Sequence, residues 1–408
     1  LPLPDLQQRN YLFDWLFTVN HNLTNSFRFD FSASSRNIVR NYLKNGTAGS
    51  TQTDTSLDIW DGIWDTGQMD RFDQSIGATY QLPFKYIPLL SFLDGTYSYT
   101  GNFNWQRGST ALANVVDENN NSLGIVHTLQ NANTIQWNGS ANMQALYNSL
   151  GLRKNTKKSD KKKAGVQIKN SLIGAVTALR RVQFSYSENN GTVLPGYTQN
   201  IGFLGTANPG IAFALGRQDD IRFEAAKRGW LTEFPNFNQA YTTVHNNEIS
   251  YNAEIGLLQG LQLDLTGNRS YSENNSENFS VVNGVYNALS PRLFGNFEIS
   301  TIMLRTSFSG NGLASTAFED LKTNRLVIAE RLGTARGIPA GNVDADGFPA
   351  GYGKTNQAVL IPAFLAAYTG ADPNSVSMDA KRSFPLPNWN MQYTGFMRLK
   401  SFKKRFNR

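Results

Sequence analysis

Aromatic side chains recur at alternate positions along this chain. Tyr97, Tyr99, Phe103 and Trp105 share one parity with Gly101 between them, while Ser98, Thr100, Asn102 and Asn104 fill the other. Alternate side chains of a β-strand point to the same face. Such a strand therefore has one aromatic face and one small, polar face. That division restricts the chain to sheets with two unlike sides. A β-barrel crosses a bilayer in this way, with an apolar outside and a wet inside.

The pattern repeats. Tyr11, Phe13, Trp15, Phe17 and Val19 share a parity, and after the polar break Asn20-His21-Asn22, Phe27, Phe29 and Phe31 alternate with Arg28, Asp30 and Ser32. Two alternating runs around a short polar break predict a hairpin. Strands are also expected at Ile76–Leu82, Ile135–Met143, Val182–Tyr186, Leu261–Leu265 and Trp389–Tyr393. From Phe297 to Phe308 the apolar parity switches midway, as a β-bulge would cause. About ten strands are expected in all, with polar loops at 45–55, 117–122, 187–192 and 268–280. Leu194-Pro195-Gly196-Tyr197 has the Pro-Gly centre of a type II turn.

Two insertions interrupt this rhythm. The basic run 153–163 is followed by Ile168, Leu172, Val176 and Leu179 at helical spacing. A second insertion spans 310–386. There Thr316 and Glu319 read as a capping box, and Pro362 and Gly370 bracket a short apolar helix. The expected organisation is thus membrane strands with polar loops over 1–152, a basic and helical insertion over 153–180, strands over 181–309, a partly helical insertion over 310–386, and a last strand with a basic end over 387–408.

Composition narrows the function. The 408 residues include no Cys, which removes disulfides, thiolate metal sites and Cys nucleophiles. His21, His127 and His245 are isolated, so no zinc site is expected. No apolar run is long enough for a transmembrane helix. The formal charge of +7 is local, because the run 153–163 holds seven basic residues and one Asp and leaves about +1 elsewhere. Such a run is ordinarily a solvated insert, so no nucleic-acid partner is expected, and anionic lipid headgroups suit it better. Gly353-Lys354-Thr355 lacks the first glycine of a phosphate-binding loop, since Phe348 stands there. Asp344-Ala345-Asp346-Gly347 opens like a calcium loop but has Pro349 and Thr355 where Gly and an acid belong, which leaves only an irregular Ca²⁺ site open. Asp219-Asp220 would face opposite ways on a strand or be solvated on a loop. No catalytic residue, cofactor or enzyme activity is expected.

A soluble antiparallel sandwich also has an apolar inner face. The polar parity here favours Asn, Ser, Thr, Gln and Gly over Lys and Glu, which suits a wet interior better than a charged surface. Trp and Tyr cluster near strand ends, as in interfacial girdles. The mean hydropathy of −0.39 is compatible with a barrel, where only alternate residues meet lipid. The expected fold is therefore an all-β, antiparallel transmembrane β-barrel segment with short helical insertions.

Longer blocks carry a more specific likeness: LPDLQQRNYLFDW, NGTVLPGYTQNIGFLG, QDDIRFEAAKRGWLT, GLQLDLTGNRSYSENNSENF, and AFLAAYTGADP followed by FPLPNWNMQYTGF. In this order the chain resembles the later part of the SprA/Sov family. These are the large outer-membrane translocons of the type IX secretion system of Bacteroidota, which also serve gliding motility. The resemblance implies an arc of one very large single-chain barrel around a protein-conducting pore in the cell outer membrane. It implies cargo proteins with a C-terminal sorting domain, a PorV-like shuttle barrel and a periplasmic plug protein as partners, with membrane lipids outside. A piece internal to a longer chain is expected, because no leader opens the sequence and the end SFKKRFNR is not an apolar strand. The alternatives are another large outer-membrane barrel, a receptor or porin for small solutes, or an extracellular β-rich adhesin. By alternation Arg28, Asp30, Gln136, Asn138, Gln183, Gln262 and Asp264 face the lumen. Phe27, Phe29, Tyr97, Tyr99, Trp137, Phe184 and Leu263 face lipid.

Overall fold

The computed structural model describes residues 10–40, 66–109, 112–152, 173–174, 176–258, 260–301, 315–339, 341–378 and 384–395. Ten strands form one open, mostly antiparallel sheet: β1 (Asn10–Thr24), β2 (Phe27–Arg40), β3 (Gln68–Gln81), β4 (Leu93–Gln106), β5 (His127–Asn142), β6 (Leu179–Tyr197), β7 (Ala240–Leu258), β8 (Leu261–Val282), β9 (Val285–Ile299) and β10 (Asn388–Tyr393). The spatial order runs from β1 to β8 in sequence and then to β10, with β9 also paired to β8. Helices among the described residues include α1 (Met143–Ser149), α2 (Ile211–Ala214), α3 (Arg222–Lys227), α4 (Thr316–Ala335) and α5 (Gln357–Thr369).

Packing divides the chain into two compact units. The first holds β1 to β5, most of β6, the start of β7, the later part of β8, most of β9, and residues 198–239, which we call the strap. Its core is built where the strap lies on the sheet. Phe72, Phe103, Trp105 and Leu129 of the strands meet Ile201, Phe213, Ala214 and Leu231 of the strap, all at most 3% exposed. Burying each large side chain contributes about 1.5–3 kcal/mol. The second unit contains α4, α5, β10 and the remaining parts of β7 and β8. Ile328 and Ala329 of α4 pack on Val359, Ala363 and Ala366 of α5, with Phe348, Tyr352 and Val376 closing this small core.

Several elements differ from the alternation-based expectation. β1 continues through Asn20-His21-Asn22, and the turn lies at Asn25-Ser26, because the polar residues pair with Asp30, Phe29 and Arg28. The polar stretches 187–192 and 268–280 are strand, not loop. Their side chains find partners across the ladder, as where Thr134 donates to Asn189 over 2.8 Å. Leu179 begins β6 rather than ending a helix, and Ile168 and Leu172 lie outside the described residues, as do the basic run and the loop 45–55. Gly196 has the positive φ, 76°, that its Pro-Gly context requires, but the bend sits at the end of β6 and not in a free turn. The bulged run from Phe297 ends as strand at Ile299, and 302–308 lie outside the described residues. β7 has polar residues on both parities, and its pairing with β6 and β8 defines it. The α4 cap is Ser315, one residue before the expected Thr316, and it accepts from the Phe318 N–H. α5 begins at Gln357, so Pro362 lies inside the helix, while Gly370 ends it at φ 73°.

Candidate functional site

Cross-strand register decides which side chains share a face, because directly opposed residues project the same way. Phe27 lies opposite Tyr80, Tyr80 opposite Tyr97, and Tyr97 opposite Trp137. Four adjacent strands thus carry one unbroken aromatic row. The Tyr97 and Trp137 ring centroids are 4.6 Å apart and those of Phe27 and Tyr80 6.2 Å. The next row on this face is Phe29, Ala78, Tyr99 and Ile135.

The opposite face is polar in the same register. Arg28, Thr79, Ser98 and Gln136 form one row, and Asp30, Gly77, Thr100 and Thr134 the next. Its charges are matched locally. Arg28 pairs with Asp30 at 2.8 Å, Arg71 with Asp73 at 2.7 Å, and Arg36 with Asp14 across the β1–β2 ladder at 3.2 Å. All three pairs are exposed and contribute little to stability. They do leave the face strongly polar with a near-zero balance. This face lines a hollow of about 360 Å³ that touches β2 through β7, with Ser34, Asp73, Asn102, Gln130, Gly191 and Thr242 each supplied by a different strand.

Of the residues singled out by alternation, Arg28, Asp30, Gln136 and Asn138 share the polar face, and Phe27, Phe29, Tyr97, Tyr99 and Trp137 share the aromatic one. The Ser185 hydroxyl bonds Asn138 over 2.8 Å, which sets Gln183 on the polar side and Phe184 on the side of Trp137. Within the second unit Gln262 and Asp264 lie opposite Gln392 and Asn390, and Leu263 lies opposite Met391.

The aromatic face is not open along its whole length. Gly101, Phe103 and Trp105, the second half of the most regular stripe, are buried under the strap. Successive strap carbonyls accept from a ladder of side chains. Asn131 donates to Phe213 O (2.7 Å) and Arg217 O (2.9 Å), Gln74 to Ala214 O (3.1 Å), Tyr99 to Leu215 O (2.8 Å), and Asn133 to Gly216 O (2.8 Å). Gly101 lets the strap approach, since a Cβ there would stand 2.1 Å from Leu215 O. The tip of Tyr99 is therefore spoken for.

Arg222 of α3 fastens the other end of the strap. Its guanidinium pairs with Asp220 at 2.7 Å and with buried Glu277 of β8, and it lies 4.4 Å from the Tyr241 ring centroid. Tyr286 donates its hydroxyl to Glu277 over 2.8 Å. The hydrogen bond from Arg222 holds the Asp220 carboxyl below its usual range, and the same bond raises the guanidinium further. Asp219 pairs with Arg217 at 2.9 Å. The two acids therefore serve separate ion pairs rather than facing only water.

Alternation missed this latch and this ladder, though one signal was present. Asn131 and Asn133 interrupt the apolar parity between Leu129 and Ile135, and Gln74 stands beside Phe72 and Ile76 on theirs. A polar residue on an apolar stripe must find a partner when buried. In the loop at 344–347, Asp344 accepts from the N–H groups of Asp346 and Phe348, and the Lys354 ammonium sits 2.8 Å from Asp346. Among the described residues no group of three or more His, Asp or Glu gathers as metal ligands.

No protein-family model matches the chain. No curated protein matches it either. No helix among the described residues is long and apolar enough to cross a membrane.

Proposed function

We propose that this chain is part of the wall of an outer-membrane protein-conducting channel, an arc of a very large β-barrel that exports folded cargo. The observation that carries this reading is the register of the faces. An aromatic row crosses four strands on one side, and a charge-balanced polar face lines a hollow on the other. Lipid on the first side and water on the second would satisfy both. The ten strands among the described residues are too few for a wide pore, since the largest barrels reach about 36 strands, so an arc fits better than a closed ring. The sequence likeness to the SprA/Sov translocons names the cargo class, proteins with a C-terminal sorting domain, and the partners: a PorV-like shuttle barrel and a periplasmic plug.

The chain is free of Cys, so single cysteines report cleanly. In intact cells a membrane-impermeant maleimide should label Asp30→Cys and leave Phe29→Cys unlabelled. The reverse pattern sinks the orientation. A photo-cross-linker at Gln130, on the polar hollow, should capture a stalled exported protein that bears a sorting domain and not the same protein without it. Equal capture of both, or of neither, rejects the export role.

A further inference from the structure

The connection between β3 and β4, residues 82–92, is ordered and yet presents apolar side chains outward. Phe84–Tyr86 form a 3-10 turn. Leu90 N–H bonds Ile87 O at 2.8 Å, Leu93 N–H bonds Leu90 O at 2.9 Å, and the Ser91 hydroxyl bonds Pro88 O at 3.2 Å. Despite these restraints Tyr86 and Leu89 are each 69% exposed and Ile87 45%. Fixing apolar groups in water gains nothing, so an apolar medium would stabilise this turn.

Its position says which medium. Leu82 N–H bonds Gly95 O at 2.8 Å. A Cβ on Gly95 would meet Leu82 Cδ1 and Phe84 Cε2, both at 3.0 Å. Gly95 shares its parity with Tyr97 and Tyr99, so the connection folds back onto the aromatic face, beside the row Phe27–Tyr80–Tyr97–Trp137. That face is short of apolar height. The strap reaches the row of Gly101 and Asn133, four residues from the Phe27 row, which is about 14 Å of strand. The apolar band of a bacterial barrel is about 25 Å tall. Tyr86, Ile87 and Leu89, in the connection beyond the aromatic row, would extend the band. Lys85 stands at the same point, with its ammonium 5.0 Å from the Tyr86 ring centroid. An aromatic ring with an adjoining cation suits the headgroup level, where amphipathic rings and lysines settle.

We propose that residues 82–92 form a membrane-interface anchor, in which Tyr86, Ile87 and Leu89 enter the headgroup–acyl boundary and Lys85 meets the phosphate of an anionic lipid. The anchor rests on the membrane reading above, and its test separates the two. The full chain is reconstituted in vesicles of phosphatidylethanolamine and phosphatidylglycerol, spin-labelled singly at Tyr86→Cys, Leu89→Cys, Phe29→Cys or Asp30→Cys. Collisions with oxygen, which concentrates in the acyl region, are compared with collisions with a water-soluble nickel chelate. Labels at 86 and 89 should favour oxygen, less strongly than at 29, while the label at 30 favours nickel. If 86 and 89 favour nickel as 30 does while 29 favours oxygen, the anchor is overturned and the membrane wall stands. If 86 and 89 are shielded from both agents, a protein surface covers them and the anchor is again overturned. If 29 itself favours nickel, the membrane reading fails and takes the anchor with it. Lys85→Glu should move the label at 86 toward nickel in these vesicles and leave it unmoved in pure phosphatidylcholine. No shift in the anionic vesicles rejects the phosphate contact.

Discussion

Replacing Gly101 by alanine tests the seat of the strap on the aromatic face with a single methyl group. The new Cβ would stand 2.1 Å from Leu215 O and 3.0 Å from Ile76 Cγ2. The first neighbour is backbone, so rotating a side chain cannot relieve it. An ordinary carbon–oxygen contact requires the strap to retreat by about 1 Å. That movement stretches the bonds from Tyr99 to Leu215 O and from Asn133 to Gly216 O, each 2.8 Å at rest. Each is worth about 1 kcal/mol net, and each buried amide left unpaired costs about 1–3 kcal/mol. We expect the strap to be weakened by about 2–4 kcal/mol, which is a rise of about 30- to 700-fold in its open population. Arg217, Lys227 and Arg228 make the strap a trypsin substrate, and cleavage follows the open population when reclosing is fast. Tryptic cleavage within 217–228 should therefore accelerate by that factor in detergent-solubilised protein. Gly139→Ala is the control, since a Cβ there meets only Asp94 O at 3.8 Å. If Gly101→Ala is cleaved no faster than the parent and Gly139→Ala, the strap does not lie on β4 as described.

Three further outcomes follow from the latch and the helical pair. Arg222→Met leaves Glu277, which is 5% exposed, without its cation, and should cost about 3–5 kcal/mol in chemical denaturation. Adding Glu277→Gln should recover most of that loss, and no recovery would rule out the ion pair as the cause. The Asp220 carboxyl is held below its unfolded value of about 3.9 by Arg222. Its contribution is therefore full above that value and is lost as pH falls through the lower, folded value. Strap protection from an acid-active protease should stay flat from pH 8 to 5 and decline below about pH 4, a decline that Asp220→Asn removes. The Asn356 side chain caps α5 by accepting from the Ala358 N–H over 2.8 Å, and it donates to Gly351 O over 2.8 Å. Asn356→Ala should lower stability by about 1 kcal/mol, read as a drop in the urea midpoint of the second unit.

What was legible in the chain was local. Alternation at 11–19, 27–31, 97–105 and 135–143 announced strands with unlike faces, because a strand sorts its own side chains by a period of two. Where polar residues occupy both parities, as in β7 and at 187–192 and 268–280, that period is silent. Those strands exist because neighbours complete their backbone ladder. β9 had one local sign, the Asn283-Gly284 pair with φ of 51° and 74°, which is the tight-hairpin signature. Helix starts slipped by one to five residues, since Ser315 and Asn356 do by geometry what Thr316 and Pro362 suggested by type, while Gly370 ends α5 where its type suggested.

The amino-acid sequence by itself determined the class of sheet and which residues of each strand keep company. Only the tertiary structure decided the register that lines up Phe27, Tyr80, Tyr97 and Trp137 in one row. It also decided that half of the stripe from Tyr97 to Trp105 lies under residues 198–239. Both depend on contacts between residues far apart in sequence. A strap carbonyl seated on Gly101, or a guanidinium seated on Glu277, leaves no periodic trace in either partner.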